Sequence, residues 1–188
     1  MPAFSRSAAP VAAAAPAGVR LFFALWPGPA LAATLASWAA QAQAACGGRA
    51  MRPDTLHLTL AFLGAVDAER AAALVAATAR QRARPGSITL DRYGTFARQG
   101  IVWAGPAEVP PALQHTHDAL WDWLEPLGWP RPAQAFKPHV TLLRRAARLD
   151  GTPAAPPPVQ WQYRRYVLVQ SRPREGVAHY QVLARSAG

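Results

Sequence analysis

The hydrophobic positions of this chain fall into short runs of strand character separated by alanine-rich stretches of helical period. RLFFALW at 20–26 is apolar and aromatic nearly throughout, and Pro27-Gly28-Pro29 stops it, which predicts a buried strand and a turn. Pro29 suits the first turn of a helix that runs to about Ala45 and ends at Gly47-Gly48. LHLTLAFLG at 56–64 predicts the next strand, closed by Gly64. Asp67 then caps an alanine-rich helix to about Arg82, with Arg80 and Arg82 placed to complement the dipole at its last turn.

Further along, SITLDRYGTF (87–96) and IVWAG (101–105) are rich in β-branched and aromatic residues and predict a hairpin or neighbouring strands around Gly100. PPALQHTHDALWDWLEPLG (110–128) predicts a third helix, with Leu113, Leu120, Trp121 and Leu124 on one stripe. The strand KPHVTLLR (137–144) follows, then a Pro/Ala-rich loop at 151–158. VQWQYRRYVLVQSR (159–172) and AHYQVLAR (178–185) predict two antiparallel strands joined through Pro173 to Val177. Helices and strands mix without strict β-α alternation, so the fold class is α+β. There is also an internal echo: residues 20–64 and 101–144 each read strand, helix, then a strand carrying His-x-Thr. A duplicated unit predicts two similar lobes facing one another across a groove.

Composition sharpens this picture. The chain of 188 residues fits one ordinary domain, and it has no apolar run long enough for a membrane helix. A net charge of +10 favours an anionic partner such as nucleic acid or phosphate. Lys137 is the only lysine, so the charge is almost all arginine in a chain crowded with Ala, Pro and Gly, which also marks a compositional bias. Cys46 is the only cysteine, which rules out an internal disulfide and suits a reducing cytoplasm. Residues 1–18 are Ala/Pro-rich and lack the charged start and continuous apolar stretch of a secretory signal, so they read as a disordered extension.

The candidate chemistry lies in HLTL at 57–60 and HVTL at 139–142. Side chains alternate along a strand, so His57 and Thr59 share one face, as do His139 and Thr141, while the aliphatic residues take the other. Singly, such a pair is an ordinary polar feature of a strand; two copies in matching contexts point to one shared site. One imidazole can accept a proton while the other donates one, and the threonine hydroxyls can hold non-bridging phosphate oxygens. That set suits in-line attack on a phosphodiester. Arg144 is a phosphate clamp by type, but ideal alternation puts it on the wrong face unless a bulge or strand end turns it. His115 and His117 do not share a helix face and read as surface or packing residues, and His179 reads as structural. No HExxH, paired-cysteine set or carboxylate cluster supplies a metal site, and no P-loop or G-x-S-x-G is present.

The tandem motifs, with RLFFALWP at 20–27, LHLTLAFLG at 56–64 and FKPHVTLLR at 136–144, resemble the two-histidine (2H) phosphoesterases. The likeness is to the branch of bacterial RNA 2′,3′-cyclic phosphodiesterases, also known as 2′-5′ RNA ligases, and spans about residues 19 to 185. It implies a bilobal α+β domain over 19–188, with antiparallel sheets lining a central cleft and helices outside. It also implies hydrolysis of RNA 2′,3′-cyclic phosphate ends to 2′-phosphates with no metal or cofactor, and reversible 2′-5′ ligation in related members. By motif position His57 would be the proton donor and His139 the proton acceptor, with Thr59, Thr141 and Arg144 on the substrate. The near-symmetric motifs themselves do not assign donor and acceptor. Phe22, Phe136 and Tyr180 are candidates to stack on a terminal base. The expected partners are RNA ends or cyclic nucleotides, met by a cytoplasmic monomer. Ligation as the main direction, a non-catalytic RNA-end-binding protein and a metal-dependent hydrolase are the rival readings.

Overall fold

The computed structural model describes residues 18–150, 153–172 and 178–188. The expected N-terminal extension, Gly18 apart, lies outside the described residues, as do the turn at 173–177 and the start of the 151–158 loop. In chain order the elements are β1 (Val19–Leu25), α1 (Pro29–Cys46), β2 (Arg49–Ala50), β3 (Leu58–Val66) and α2 (Ala68–Thr78). There follow β4 (Gly86–Leu90), β5 (Arg92–Phe96), β6 (Ile101–Gly105), α3 (Pro111–Leu124), β7 (Val140–Arg144), β8 (Val159–Tyr163), β9 (Val167–Ser171) and β10 (Tyr180–Arg185).

The two echoed units become the centre of one sheet. Its strand order is β10-β9-β1-β3-β7-β6-β5, with β2 beside β7, while β4 and β8 form a separate two-stranded sheet. The units β1-α1-β3 and β6-α3-β7 therefore meet through their His-x-Thr strands, and that meeting is a single antiparallel pair, Leu58 with Val140. The halves are hydrogen-bonded along one path instead of standing as two separate sheets.

The sheet has two unlike faces. Leu21, Phe23, Leu58, Leu60, Val140 and Leu142 join Leu35 and Trp38 of α1 and Leu113, Leu120, Trp121 and Leu124 of α3 in the main core. The predicted helical stripe of α3 is thus wholly buried. Phe22, Ala24, Val167 and Val169 form a smaller cluster on the other side, covered by Trp26, Tyr180 and Val182 and by no helical residue. Each fully buried aliphatic or aromatic side chain contributes about 1.5–3 kcal/mol, so the helix-bearing face dominates stability.

Both central strands break their alternation at the same step. Along β3, Thr59 pairs with Ala24 and Ala61 with Phe23, leaving Leu60 as an extra residue. Along β7, Thr141 pairs with Trp103 and Leu143 with Val102, leaving Leu142 as an extra residue. A bulge reverses the side-chain phase beyond it. Leu60 and Ala61 are therefore both inside, as are Leu142 and Leu143, and the next residues, Phe62 and Arg144, turn outward.

Several boundaries differ from the sequence reading. Asp67 does cap α2, its carboxylate accepting from the Arg70 N–H at 2.9 Å. The helix stops at Thr78, however, where Arg80 and Gln81 close onto Ala77 and Thr78 in a tighter turn, so Arg80 and Arg82 lie beyond it. Arg82 instead bridges to Ala187. Gly64 does not end β3; it takes φ +72° within the strand, at the second register shift against β1. The 87–96 segment divides at Asp91: β5 makes the expected hairpin with β6, and β4 leaves to pair with β8. The 159–172 segment likewise divides, so that β8 and β9 serve different sheets.

Candidate active site

His57 and His139 each stand immediately before the strand that carries the rest of its motif. In each, Nδ1 donates to the carbonyl two residues earlier, His57 to Thr55 at 2.8 Å and His139 to Lys137 at 2.7 Å. A carbonyl only accepts, so Nδ1 carries a proton in both rings and Nε2 is left for proton transfer. The register set by Leu58 and Val140 places His57 across from Thr141 and Thr59 across from His139. All four side chains are half-buried, and with Arg144 they line one cavity of about 150 Å³. The five residues predicted from sequence therefore converge.

Arg144 reaches this cavity because of the Leu142 bulge, which supplies the half-turn that ideal alternation withheld. Aromatic packing holds the rings. His57 stacks on Trp26 with centroids 5.4 Å apart and planes 8° from parallel, and Phe22 and Tyr180 close in at 4.9 and 5.2 Å. His139 meets the Phe96 ring edge-on at 4.9 Å and Trp103 at 6.0 Å. Lys137 lies over both aromatic rings, its Nζ 5.4 and 5.0 Å from their centroids. A bare Gly94 permits this, because a Cβ there would collide with the Trp103 ring.

Sequence reasoning missed Trp26, Phe96, Trp103 and Lys137 as site residues. Lys137 was findable, sitting two before His139 where its carbonyl fixes the ring. Trp26 lies outside both motifs, and only strand order brings it to His57. The rings expected to stack on a base pack against histidines, Tyr180 standing edge-on to His57. Phe22 is buried under His57, and Phe136 stacks on His117 at 3.9 Å. His117 is a packing residue on α3, hydrogen-bonded to Asp118 at 3.1 Å, while His115 and His179 are exposed.

Burial lowers both motif histidines. His57 falls from 6.5 to about 4, chiefly by desolvation; the Thr55 carbonyl opposes this, and the charges of Arg144 and His139 add to it. His139 is also lowered, first by desolvation, against the Lys137 carbonyl and with the Lys137 and Arg144 charges. Both rings are therefore neutral in the free protein at neutral pH. An anion between them would favour the protonated forms. Among the described residues, no three His, Cys, Asp or Glu side chains gather as metal ligands would.

An antiparallel sheet with helices on one face and a mirrored His-x-Thr pair at its centre defines a protein of the two-histidine phosphoesterase class. The chain belongs to the 2′-5′ RNA ligase superfamily, whose family model matches residues 27–172. It is 34% identical over 170 residues to the RNA 2′,3′-cyclic phosphodiesterase of Escherichia coli, covering 89% of this chain and 96% of that one. It is 30% identical over 181 residues to the enzyme of the same name from Thermus thermophilus, covering 89% of each. The crystal structure of E. coli LigT complexed with 3′-AMP superposes with a TM-score of 0.76 at 31% identity, over 89% of this chain and 97% of that one.

Proposed function

We propose that this protein hydrolyses RNA 2′,3′-cyclic phosphate ends to 2′-phosphate ends by metal-independent acid–base catalysis, acting on RNA ends or cyclic nucleotides in the cytoplasm. One observation carries the reading: two histidines, each with Nδ1 tied to a backbone carbonyl, share a small cavity with two threonines and an arginine. The similarity to curated cyclic phosphodiesterases over most of the chain supports it.

In this mechanism the cyclic phosphate sits between the rings, its non-bridging oxygens held by the Thr59 and Thr141 hydroxyls and by Arg144. His139 Nε2 takes a proton from water as the water oxygen bonds to phosphorus. The P–O3′ bond breaks on the opposite side, and protonated His57 Nε2 gives its proton to O3′. The product keeps its phosphate on O2′. His57 starts with a low affinity for protons, so the anionic substrate itself must draw the proton onto it. Neutral His139 is already a competent base.

The test is incubation of a 2′,3′-cyclic-phosphate oligonucleotide with the protein in EDTA, resolving 2′- from 3′-phosphate product. A 2′-phosphate, lost in both His57→Ala and His139→Ala, supports the reading. A 3′-phosphate overturns the assignment of the leaving oxygen. Turnover that EDTA stops and a divalent ion restores overturns metal independence, and RNA binding without turnover leaves only an end-binding protein.

A further inference from the structure

The two motifs are near copies, yet the rings around their histidines are arranged in unlike ways. His57 stands in a box of three aromatic side chains. Trp26 lies parallel to it, Phe22 packs beneath it and Tyr180 stands edge-on, with centroids 5.4, 4.9 and 5.2 Å away. The box supports itself, since Tyr180 also meets Phe22 and Trp26 edge-on at 5.3 and 6.1 Å. Among the described residues no arginine or lysine is seated on any of these three rings. His139 has two rings beside it, and both already carry a cation. Lys137 holds its ammonium over Phe96 and Trp103, and the Arg92 guanidinium lies 6.0 Å from the Trp103 centroid.

An aromatic face carries partial negative charge and attracts a cation placed over it, indole most strongly. Trp26 offers that face to His57 with the planes 8° from parallel. When the anionic substrate draws a proton onto His57, the imidazolium forms against it, partly desolvated, where the attraction exceeds its value at an exposed site. Burial disfavours a charge on His57 in the free protein, so an arriving proton needs such a partner. Around His139 the effect is reversed: the ammonium has taken up the ring faces and repels a second positive charge. The same asymmetry shows two residues before each histidine. Thr55 and Lys137 supply equivalent carbonyls to the Nδ1 atoms, but only Lys137 brings a charge. The other charged groups do not separate the rings. Arg144 depresses both, and Arg52, on the loop before His57, is paired with Asp54 at 2.8 Å.

We propose that Trp26 and Lys137 are positioning residues that divide two equivalent motifs into an acid and a base: the Trp26 face holds the proton on His57 while substrate is bound, and Lys137 keeps it off His139. This deepens the mechanism given above and rests on it. Neither side chain lines the cavity that takes the phosphate, so each acts through its histidine.

The test follows the histidine titrations by NMR in the complex with the product 2′-AMP, alongside kcat/KM for 2′,3′-cyclic AMP. Trp26→Leu should lower kcat/KM about tenfold, within the range of one cation–π contact. Bound His57 should then give up its proton at lower pH than in the wild type, and Trp26→Phe, which keeps a π face, should recover part of both losses. Lys137→Met should raise the titration of His139 in the same complex, and Lys137→Arg should leave it unmoved. An unchanged rate in Trp26→Leu overturns the proposal. So does a rate that falls while His57 titrates as in the wild type, since the indole is then only a wall. Equal losses in Trp26→Leu and Trp26→Phe, or an unmoved His139 in Lys137→Met, overturn it as well. A wild type that does not turn over cyclic AMP removes the underlying mechanism and this inference with it.

Discussion

Replacing His57 by glutamine should flatten the acid side of the stability profile. In the folded protein His57 stays neutral down to about pH 4, against an ordinary value of 6.5, because burial disfavours its charge. The unfolded chain binds this proton at higher pH than the folded one, so protons favour unfolding. The neutral ring's contribution is fully present above about pH 6.5 and is lost as pH falls toward 4. At roughly 1.4 kcal/mol per pH unit, the whole shift is worth about 3 kcal/mol, of which about 2 kcal/mol disappears between pH 7 and pH 5. Glutamine can still donate to the Thr55 carbonyl but does not titrate. His117, which burial also lowers, remains in both proteins and cancels in the comparison; His139 remains too, and its charge is the smallest of the causes that shift His57. Urea unfolding at the two pH values measures the difference directly. The wild type should lose about 2 kcal/mol more than His57→Gln, and equal losses would refute a desolvated, neutral His57.

Two further outcomes follow from the site's geometry. Arg144→Ala should lower kcat/KM for a cyclic phosphate about 10–100-fold, the worth of a charged hydrogen bond. It should also raise the titration of both motif histidines by NMR, because the Arg144 charge depresses each; unmoved histidines would place Arg144 away from them. Gly94→Ala should force the Trp103 ring out from beside His139 and destabilise the protein by about 1–3 kcal/mol. Thermal melting and tryptophan fluorescence check this, and a wild-type melt would show that the ring has room.

Much of this protein was legible as a linear pattern. The alternation in HLTL and HVTL assigns the buried and groove faces correctly, and the buried Leu58 and Val140 confirm it. The Asp67 cap and the α3 stripe were readable because both depend on neighbours within a few residues. Segments 87–96 and 159–172 read as single strands, yet each divides between two sheets, since a β-propensity run does not name its partner. The C-terminal end of α2 misled for a similar reason: Arg80 and Arg82 suit a helix terminus, but the chain there turns to meet Ala187.

What the sequence determined by itself was which histidines and threonines would share one cavity, since type, spacing and duplication are local properties of the chain, whereas spacing alone set Arg144 on the wrong face. What only the tertiary structure decided was where each side chain faces. The bulges at Leu60 and Leu142 arise from pairing with β1 and β6, partners distant in sequence, and they alone turn Phe62 and Arg144 outward. The stacking of Trp26 on His57 and the tautomer of each imidazole depend likewise on contacts that exist only after folding. Alternation is a property of one strand, whereas phase, burial and proton affinity belong to the packed sheet.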